Sequence, residues 1–292
     1  MQKYPFKQNP SIVDDIIEEL SENPHLKRFF LEHDLSHDTI ETYLNELMTF
    51  NNEQPKCIDC PGLDECKQDV TGYQPVLEYV NERVSLSYQP CNYLQHYEAQ
   101  QTISNRIQAM YMPKMVLEAR LDDFHMKTEH RKNIYKAIMH IMTKIKIGEH
   151  PKGMFLSGRY QIGKTYTLAA MANHFAAIGK TVLIGYYPDM VREIKSSIRT
   201  GNLESIINSL KHVDVLMLDD IGGESPSHWL RDEVLGPILQ HRLLDQKLTF
   251  FSSNIPLDEL PKYMVENEQR AEKIKAHRII ERIKALTDEY TM

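Results

Sequence analysis

The residues of this sequence best suited to chemistry lie in the stretch GRYQIGKT, from Gly158 to Thr165. Two glycines separated by four residues and followed by Lys-Thr form a loop that can bind phosphate, because glycine lets the backbone turn its N–H groups inward. An apolar stretch, KGMFLS, precedes the loop, and apolar residues at helical spacing follow it up to Gly179. Strand, glycine loop and helix in this order predict a nucleotide site and argue against a chance match.

Individual side chains of this loop have distinct expected roles. Lys164 carries a charge that can reach the β- and γ-phosphates, and the Thr165 hydroxyl can ligate Mg²⁺. No Asn-Lys-x-Asp motif for reading guanine is present, so the sequence favours ATP and ADP as ligands. The expected nucleotide-binding residues are Gly158, Arg159, Tyr160, Gln161, Ile162, Gly163, Lys164, Thr165 and Tyr166.

A second motif, VLMLDD, supplies the carboxylates that such a site needs. Its four apolar residues predict a buried strand that ends in Asp219 and Asp220. We expect Asp219 to bind Mg²⁺ opposite Thr165, and Asp220 to orient or activate the attacking water. The Asp220 side chain is shorter than that of Glu and reaches the water less well, which predicts slow hydrolysis. A strand followed by an acidic turn is the simpler alternative.

Three polar residues farther along the chain are candidates for the same site. The stretch FFSSN ends a predicted strand at Asn254, whose amide can hold the water near the γ-phosphate, although Ser-Ser-Asn alone is only a turn signal. Arg278 and Arg282 are four residues apart on one face of a predicted helix. One of them could reach the nucleotide of a neighbouring subunit as an arginine finger. Taken without context, the pair favours a solvated basic face.

All four cysteines of the chain lie between residues 57 and 91, at Cys57, Cys60, Cys66 and Cys91. The first two have zinc-knuckle spacing, and the last follows a predicted hairpin that pairs QPVLEYV with RVSLSYQ and turns at Asn81-Glu82. Four thiolates suit a closed tetrahedral Zn²⁺ site. Disulfides and unrelated buried cysteines are the alternatives; an intracellular setting argues against the first and the clustering against the second.

The elements that position these residues fall into two compositionally different parts. Residues 1–113 contain 18 Asp and Glu against 8 Lys and Arg, whereas residues 114–292 contain 23 against 26. No apolar run approaches the roughly 20 residues of a membrane span, and the N-terminal MQKYPFKQNP has no apolar signal core. We therefore expect a cytoplasmic protein without a membrane partner, whose acidic front part docks on protein rather than DNA.

Hydrophobic periodicity predicts short amphipathic helices before residue 50 and an alternation of strands and helices after residue 131. The alternation predicts a parallel sheet with helices on both faces. The predicted organisation is a helical zinc-binding domain over residues 1–100, a helical and polar linker over 101–130 and an ATPase domain over 131–292. Little chain follows the arginine helix, so we expect no C-terminal helical lid.

Several stretches together resemble the AAA+ helicase loaders of bacterial replication, most closely those of the DnaI type, which are related to DnaC. They are GRYQIGKT, VLMLDDIGGES, WLRDEVLGPILQHR, TFFSSN and AHRIIERI, in that order. The resemblance implies an AAA+ core that binds ATP and single-stranded DNA and associates with copies of itself. It also implies that residues 1–113 hold a hexameric helicase of the DnaB family, with other primosome proteins as further partners.

By motif position, the resemblance implies that Asn254 is the sensor and that Arg282 is the finger, with Arg278 beside it. Three basic residues on the helix after TVLIGYY, namely Arg192, Lys195 and Arg199, suit contacts with DNA phosphates in an assembled ring, although a solvated face is an equal alternative. The competing functions are a transposition-type AAA+ regulator that binds duplex DNA and an adaptor that does not hydrolyse ATP. The acidic front part speaks against the first, whereas the Asp219-Asp220 pair leaves the second open.

Overall fold

In the computed structural model of the chain, residues 10–114, 118–267 and 269–292 are described. The N-terminal residues 1–9, which supported the expected absence of a signal sequence, lie outside this part. The chain divides into two compact units, Met1–Gln101 and Thr102–Met292. No helix in the described ranges combines the length and the apolar character needed to cross a membrane.

The first unit begins with short helices whose starts follow from local capping. Asn23 accepts a hydrogen bond from the His25 N–H before α2, and Ser36 accepts one from the Thr39 N–H before α3. The non-helical backbone at Tyr43 separates α3 from α4. The helices are α1 (Pro10–Glu22), α2 (Pro24–Glu32), α3 (His37–Thr42) and α4 (Leu44–Glu53).

A two-stranded antiparallel hairpin completes the described part of this unit. Strands β1 (Tyr73–Val80) and β2 (Arg83–Pro90) pair so that Val80 faces Arg83 across the turn. Asn81 and Glu82 have φ of 51° and 57°, the left-handed conformation that a tight two-residue hairpin turn requires. The predicted hairpin is therefore confirmed. Apolar side chains of the helices and the hairpin share one core: Leu20, Leu26, Ile40, Leu44, Leu47, Phe50 and Val84.

The helix α5 (Asn92–Asn105) contains the point of division, and the second unit is built on a six-stranded parallel sheet. The strand order is β3-β5-β6-β7-β4-β8. The strand β4, which precedes the phosphate loop, therefore lies beside β7, and β7 lies beside β6, which ends in Asp219. The strands are β3 (Ile107–Met110), β4 (Gly153–Ser157), β5 (Val182–Tyr186), β6 (Val215–Asp219), β7 (Leu248–Ser253) and β8 (Thr287–Thr291).

Helices cover both faces of this sheet, as the alternating pattern predicts. Along β6, Val215 and Met217 join the core under α6 (Glu129–Lys146) and α7 (Lys164–Ala177), whereas Leu216 and Leu218 join the core on the opposite face. Both cores are almost fully withdrawn from solvent because central parallel strands are buried on two sides. The helices are α6 (Glu129–Lys146), α7 (Lys164–Ala177), α8 (Tyr187–Thr200), α9 (Leu203–His212), α10 (Gly236–Leu244) and α11 (Arg270–Leu286).

Both edges of the sheet differ from the sequence prediction. The stretch predicted as a helical linker contains β3, which pairs with β5, and the unit begins at Thr102 rather than after residue 130. The C-terminal stretch continues past α11 as β8, which pairs with β4. Directly before α10, Leu230–Leu235 forms a π-helical segment. Edge strands pair on one side only, so they need less apolar sequence than central ones.

Candidate nucleotide site

The phosphate loop connects β4 to α7 at the carboxyl edge of the sheet, where parallel α/β folds bind ligands. Gly158 and Gly163 have φ of 149° and 99°, values that glycine adopts without strain. A Cβ added to Gly158 would lie 2.5 Å from Ile162 Cδ1, so the Ile162 side chain would have to move to accommodate it. Gln161 also has positive φ, 62°, which is uncommon for a residue with a side chain.

Lys164 begins α7 and places its ammonium inside the loop. Its Nζ donates hydrogen bonds to the carbonyl oxygens of Gly158 at 2.9 Å and Arg159 at 2.8 Å, and to Asn254 Oδ1 at 2.7 Å. The residue is only 7% exposed. Burial lowers the pKa of Lys164, and the nearby carboxylates of Asp220 and Asp219 oppose that change. A buried cation bonded only to neutral oxygens is suited to receive an anionic ligand.

Thr165 and Asp219 meet as the predicted Mg²⁺ pair. The Thr165 Oγ1 donates to Asp219, with oxygen distances of 2.8 and 3.1 Å. Asp219 is 3% exposed at the end of β6, and Ser252 Oγ on β7 donates to its Oδ1 at 2.5 Å. Burial raises the pKa of Asp219, while the hydrogen bonds from Ser252 and Thr165 lower it. A hydroxyl beside a carboxylate at a phosphate loop is a donor set that fits Mg²⁺ with a nucleotide.

Asp220 and Asn254 form the next contact along the same edge. Asn254 Nδ2 donates to Asp220 Oδ1, and the Asp220 backbone N–H donates to Ser252 Oγ at 3.0 Å. Asp220 has φ of 62°, so its backbone is left-handed immediately after the strand. The structure therefore brings Lys164, Thr165, Asp219, Asp220 and Asn254 together at one place, as the sequence motifs predict.

Two residues of this cluster are absent from the sequence predictions. Tyr186, the last residue of β5, donates its hydroxyl to Asp220 Oδ2 at 3.3 Å, and burial raises its pKa. Ser252 contacts both Asp219 and the backbone of Asp220. Ser252 lies within the FFSSN stretch, where only Asn254 has a predicted role, and Tyr186 has no signal beyond its position; each lies at or near the carboxyl end of a strand that neighbours β6 in the sheet.

The two arginines of α11 lie in a different setting. Arg282 is half-buried, its Nη1 donates to the Gly236 carbonyl at 3.0 Å, and burial followed by the nearby charge of Arg278 lowers its pKa. Arg278 is exposed. Within the described ranges, no hydrogen bond or ion pair connects either arginine to the phosphate loop of the same chain. Both line a groove between α11 and the segment around Gly236.

The basic residues of α8 lie on its solvent face. Arg192, Lys195 and Arg199 are all exposed, and α8 buries the opposite face through Val191 and Ile194. Arg192 pairs with Asp189 on the same helix. The exposed face is therefore accessible, although one of its charges already has an internal partner.

The cysteines of the first unit are four free, half-buried thiols. Cys57 Sγ accepts a hydrogen bond from Gln68 Nε2 at 3.2 Å, and Cys66 Sγ accepts one from the Gly72 N–H at 3.4 Å. The Cys91 N–H donates to the Gly72 carbonyl at 2.7 Å, which places Cys91 beside the Cys66 loop.

A tetrahedral metal site is not assembled from these thiols. Among the described residues, no three of the four sulfur atoms lie within 4.8 Å of one another, and the group that meets this limit is His37, Asp38 and Glu41, all exposed on α3. The zinc site thus stays a prediction.

Comparison with known proteins identifies the chain in two parts. Residues 1–88 match the family described as Primosomal protein DnaI N-terminus, and residues 81–284 match the family of IstB-like ATP binding proteins. The replicative helicase loader DnaI of Bacillus subtilis (strain 168) is 32% identical over 275 residues, which cover 93% of this chain and 88% of that protein.

Solved structures agree with the sequence matches. A crystal structure of DnaI superposes with a TM-score of 0.60 at 37% identity, covering 64% of this chain and 97% of that one. A putative primosome component from Streptococcus pyogenes serotype M3 superposes with a TM-score of 0.56 at 32% identity, covering 66% and 96%. The chain therefore belongs to the DnaI-type family of replicative helicase loaders.

Proposed function

We propose that this chain is an ATP-dependent loader that places a DnaB-family hexameric helicase onto single-stranded DNA when replication starts or restarts. The observation that carries the proposal is that one chain combines a DnaI-type N-terminal segment with a joined Lys164, Thr165, Asp219 and Asn254 cluster. The N-terminal segment would bind the helicase, and the cluster would bind ATP and so couple helicase binding to the nucleotide. Such a protein acts in the cytoplasm.

In this proposal the phosphate loop, Gly158–Tyr166, binds ATP or ADP. Lys164 exchanges its contacts with the Gly158 and Arg159 carbonyls for phosphate oxygens, and Thr165 and Asp219 hold Mg²⁺. The bound metal supplies charge neutralisation for the triphosphate. The buried position of Lys164 supports this role, because the ammonium keeps little of its hydration to lose when it meets an anion.

Hydrolysis is assigned to Asp220 and Asn254. Asp220 accepts a proton from, or orients, the attacking water, and Asn254 positions that water through its amide. The direct contact between the two side chains supports a shared task. Because the Asp220 carboxylate is also bonded by Tyr186 and is shorter than Glu, basal hydrolysis is weak and is stimulated by DNA or the partner.

An arginine of α11 acts on the nucleotide of a neighbouring copy in an assembly of AAA+ units. The exposed Arg278 is better placed for this than Arg282, whose guanidinium is half-buried and bonded to the Gly236 carbonyl. We therefore assign the finger to Arg278 and a supporting position to Arg282. The family resemblance implies the reverse, with Arg282 as the finger and Arg278 beside it.

The first unit, together with the chain up to residue 113, is assigned to the helicase and to any further primosome partner. Its net negative charge suits a protein surface rather than DNA. Single-stranded DNA is assigned to the exposed face of α8, through Lys195 and Arg199, with Arg192 joining when it leaves Asp189. If Lys195→Glu leaves single-strand affinity unchanged, the α8 assignment is wrong.

Structural Zn²⁺ held by Cys57, Cys60, Cys66 and Cys91 is part of the proposal. Four free thiols in one small unit are donors of the type that Zn²⁺ prefers, and binding would have to bring their sulfur atoms closer together than they lie here. The metal would connect the loop at residues 57–66 to the end of the hairpin.

The experiment that tests the loader function is native mass spectrometry of the full chain with the replicative helicase of its host, with and without ATP. We expect several copies on one helicase hexamer, and we expect that complex to be lost when Met1–Gln101 is removed. Retained ATP binding by the shortened chain is the control for folding. Absence of any complex under every nucleotide condition would contradict the proposal.

A transposition-type regulator remains the second candidate, because residues 81–284 match a family named for IstB-like proteins. The DnaI-type match over residues 1–88 and the acidic front part favour the loader. Tight duplex-DNA binding by the full chain, without helicase binding, would favour the regulator.

A further inference from the structure

Arg131, in the first turn of α6, reaches the phosphate loop from outside. Its Nη2 donates a hydrogen bond to the Ile162 carbonyl at 2.5 Å. Two further contacts fix the guanidinium. Its Nη1 donates to the His125 carbonyl oxygen at 3.4 Å, and its central carbon, Cζ, lies 5.6 Å from the centre of the Phe124 ring. The guanidinium is therefore held on three sides, with the loop carbonyl on one of them.

The contact determines the direction of a loop N–H group. In a trans peptide the C=O and the following N–H point in opposite directions, so the Gly163 N–H points away from Arg131. In the described part of the chain, no acceptor is found for this N–H. Gly163 is the N-cap of α7, where backbone donors are free to bind an anion.

Local backbone conformation indicates that the loop needs this support. Ile162 lies between Gln161 and Gly163, whose φ values of 62° and 99° are both left-handed. Such a conformation persists where neighbouring contacts fix it. An ideal Cβ on Gly163 would lie 3.2 Å from Arg131 Nη2, so the guanidinium also fills the space outside the turn.

Within the described ranges, Arg131 forms no ion pair, and its side-chain hydrogen bonds are to carbonyl oxygens. A half-buried cation beside the loop adds to the positive potential that Lys164 and the start of α7 create there. The sequence motifs give no indication of this, since Arg131 precedes the loop by 27 residues.

We propose that Arg131 is a positioning residue of the nucleotide site, which holds the Ile162–Gly163 peptide so that the Gly163 N–H donates to a nucleotide di- or triphosphate. The inference rests on the proposed ATP-binding function. It assigns to α6 a part in phosphate recognition, in addition to its part in the core.

The test is calorimetric titration of the full chain with Mg²⁺-ATP and Mg²⁺-ADP. Arg131→Gln should weaken the binding of both nucleotides by about tenfold, because it removes one charged hydrogen bond. Arg131→Lys keeps the charge but replaces the planar guanidinium fork by a compact ammonium, and it should weaken the binding of both nucleotides by a few-fold. The matched control Lys132→Gln, which removes an exposed cation from the next position, should stay within about twofold of the unaltered chain.

A second readout separates positioning from general loss of structure. In steady-state hydrolysis, Arg131→Gln should raise KM by about the same factor as Kd and leave kcat within about twofold, since the contact is the same in the ground and transition states. The thermal unfolding midpoint should stay within a few degrees of the unaltered chain.

Equal nucleotide affinity in Arg131→Gln and the unaltered chain, with binding abolished in Lys164→Ala, would overturn this inference and leave the proposed function standing. If the unaltered chain binds neither nucleotide, both fail. Should Arg131→Gln not fold, Arg131→Lys decides: affinity equal to the unaltered chain overturns the inference.

Discussion

The ammonium of Lys164 donates a hydrogen bond to Asn254 Oδ1 over 2.7 Å, which connects the phosphate loop directly to the end of β7. The same amide donates through Nδ2 to Asp220. Three residues from three separate motifs thus form one line of side chains across the carboxyl edge of the sheet. Lys164 lies at the phosphate-loop end of this line and Asp220 at the other end, so nucleotide binding and hydrolysis are expected to depend on different members of it.

Asp220→Asn should lower the maximal rate of ATP hydrolysis by about 10²–10⁴-fold, the range typical of losing a general base. The affinity for Mg²⁺-ATP should stay within about threefold, because Asp220 contacts Asn254 and Tyr186 rather than the loop. Phosphate release and equilibrium titration measure the two quantities. Asp258→Asn, at an exposed position paired with Lys284, is the control, and a parallel fall in affinity would contradict the assignment.

Asp219→Asn should stabilise the protein in the absence of Mg²⁺ and nucleotide. Burial raises the pKa of Asp219 above its ordinary value of 3.8, so the folded state binds the proton more tightly than the unfolded state. That contribution to stability is full below pH 3.8 and is lost as the pH rises through the folded-state pKa.

At pH 7 the substitution should therefore raise the thermal unfolding midpoint by about a few degrees and abolish Mg²⁺-dependent ATP binding. Unfolding scans across the acidic range should show a flatter pH dependence for the variant than for the unaltered chain. A lower midpoint for Asp219→Asn at pH 7 would indicate that its hydrogen bonds with Thr165 and Ser252 outweigh the cost of burying the charge.

Arg278→Ala should lower ATP hydrolysis of the assembled protein by at least about tenfold and leave ATP affinity unchanged, since a finger acts in trans. Mixing it with Lys164→Ala should restore part of the activity, because each variant supplies what the other lacks. Arg282→Ala should instead lower the free energy of unfolding by about 1 kcal/mol, through the lost bond to the Gly236 carbonyl. Failure of the mixture to regain any activity would contradict the assignment of the finger to Arg278.

The double variant Cys57→Ser, Cys60→Ser should contain no zinc by elemental analysis, whereas the unaltered chain should contain about one ion per molecule. Loss of the metal should loosen the first unit, because the metal closes the loop at residues 57–66. Increased proteolysis of that unit measures the loosening, with chelator-treated protein as the reference. Zinc retained by the double variant would refute the site.

Arg242→Met should destabilise the second unit by about 3 kcal/mol or more. Arg242 is fully buried and donates to carbonyl oxygens of Leu210, Val213 and Leu248 at 3.1, 2.9 and 2.7 Å, all of which would lose a partner. Urea unfolding measures the change. Arg199→Met, at an exposed position of α8, is the control, and an equal effect of both variants would exclude this explanation.

The sequence alone determined the central strands β4, β6 and β7 and the site residues that follow them. These residues are Lys164, Thr165, Asp219, Asp220 and Asn254. Glycine spacing, the apolar runs before Gly158 and Asp219, and the Ser-Ser-Asn stretch before Asn254 each identify a strand with a functional end. The hairpin turn at Asn81-Glu82 was equally predictable. These features depend on residues a few positions apart, and alternation of strand and helix requires the strand ends to meet at one edge.

Only the tertiary structure decided which other residues reach that edge and how the sheet ends. Tyr186 and Arg131 belong to no site motif, and Ser252 lies within FFSSN without a predicted role; each enters the site because the strand order or the packing of α6 places it there. The strands β3 and β8 pair on one side only, so neither has the continuous apolar run that reveals a strand buried on both faces. Their identity follows from long-range pairing with β5 and β4, which no local pattern encodes.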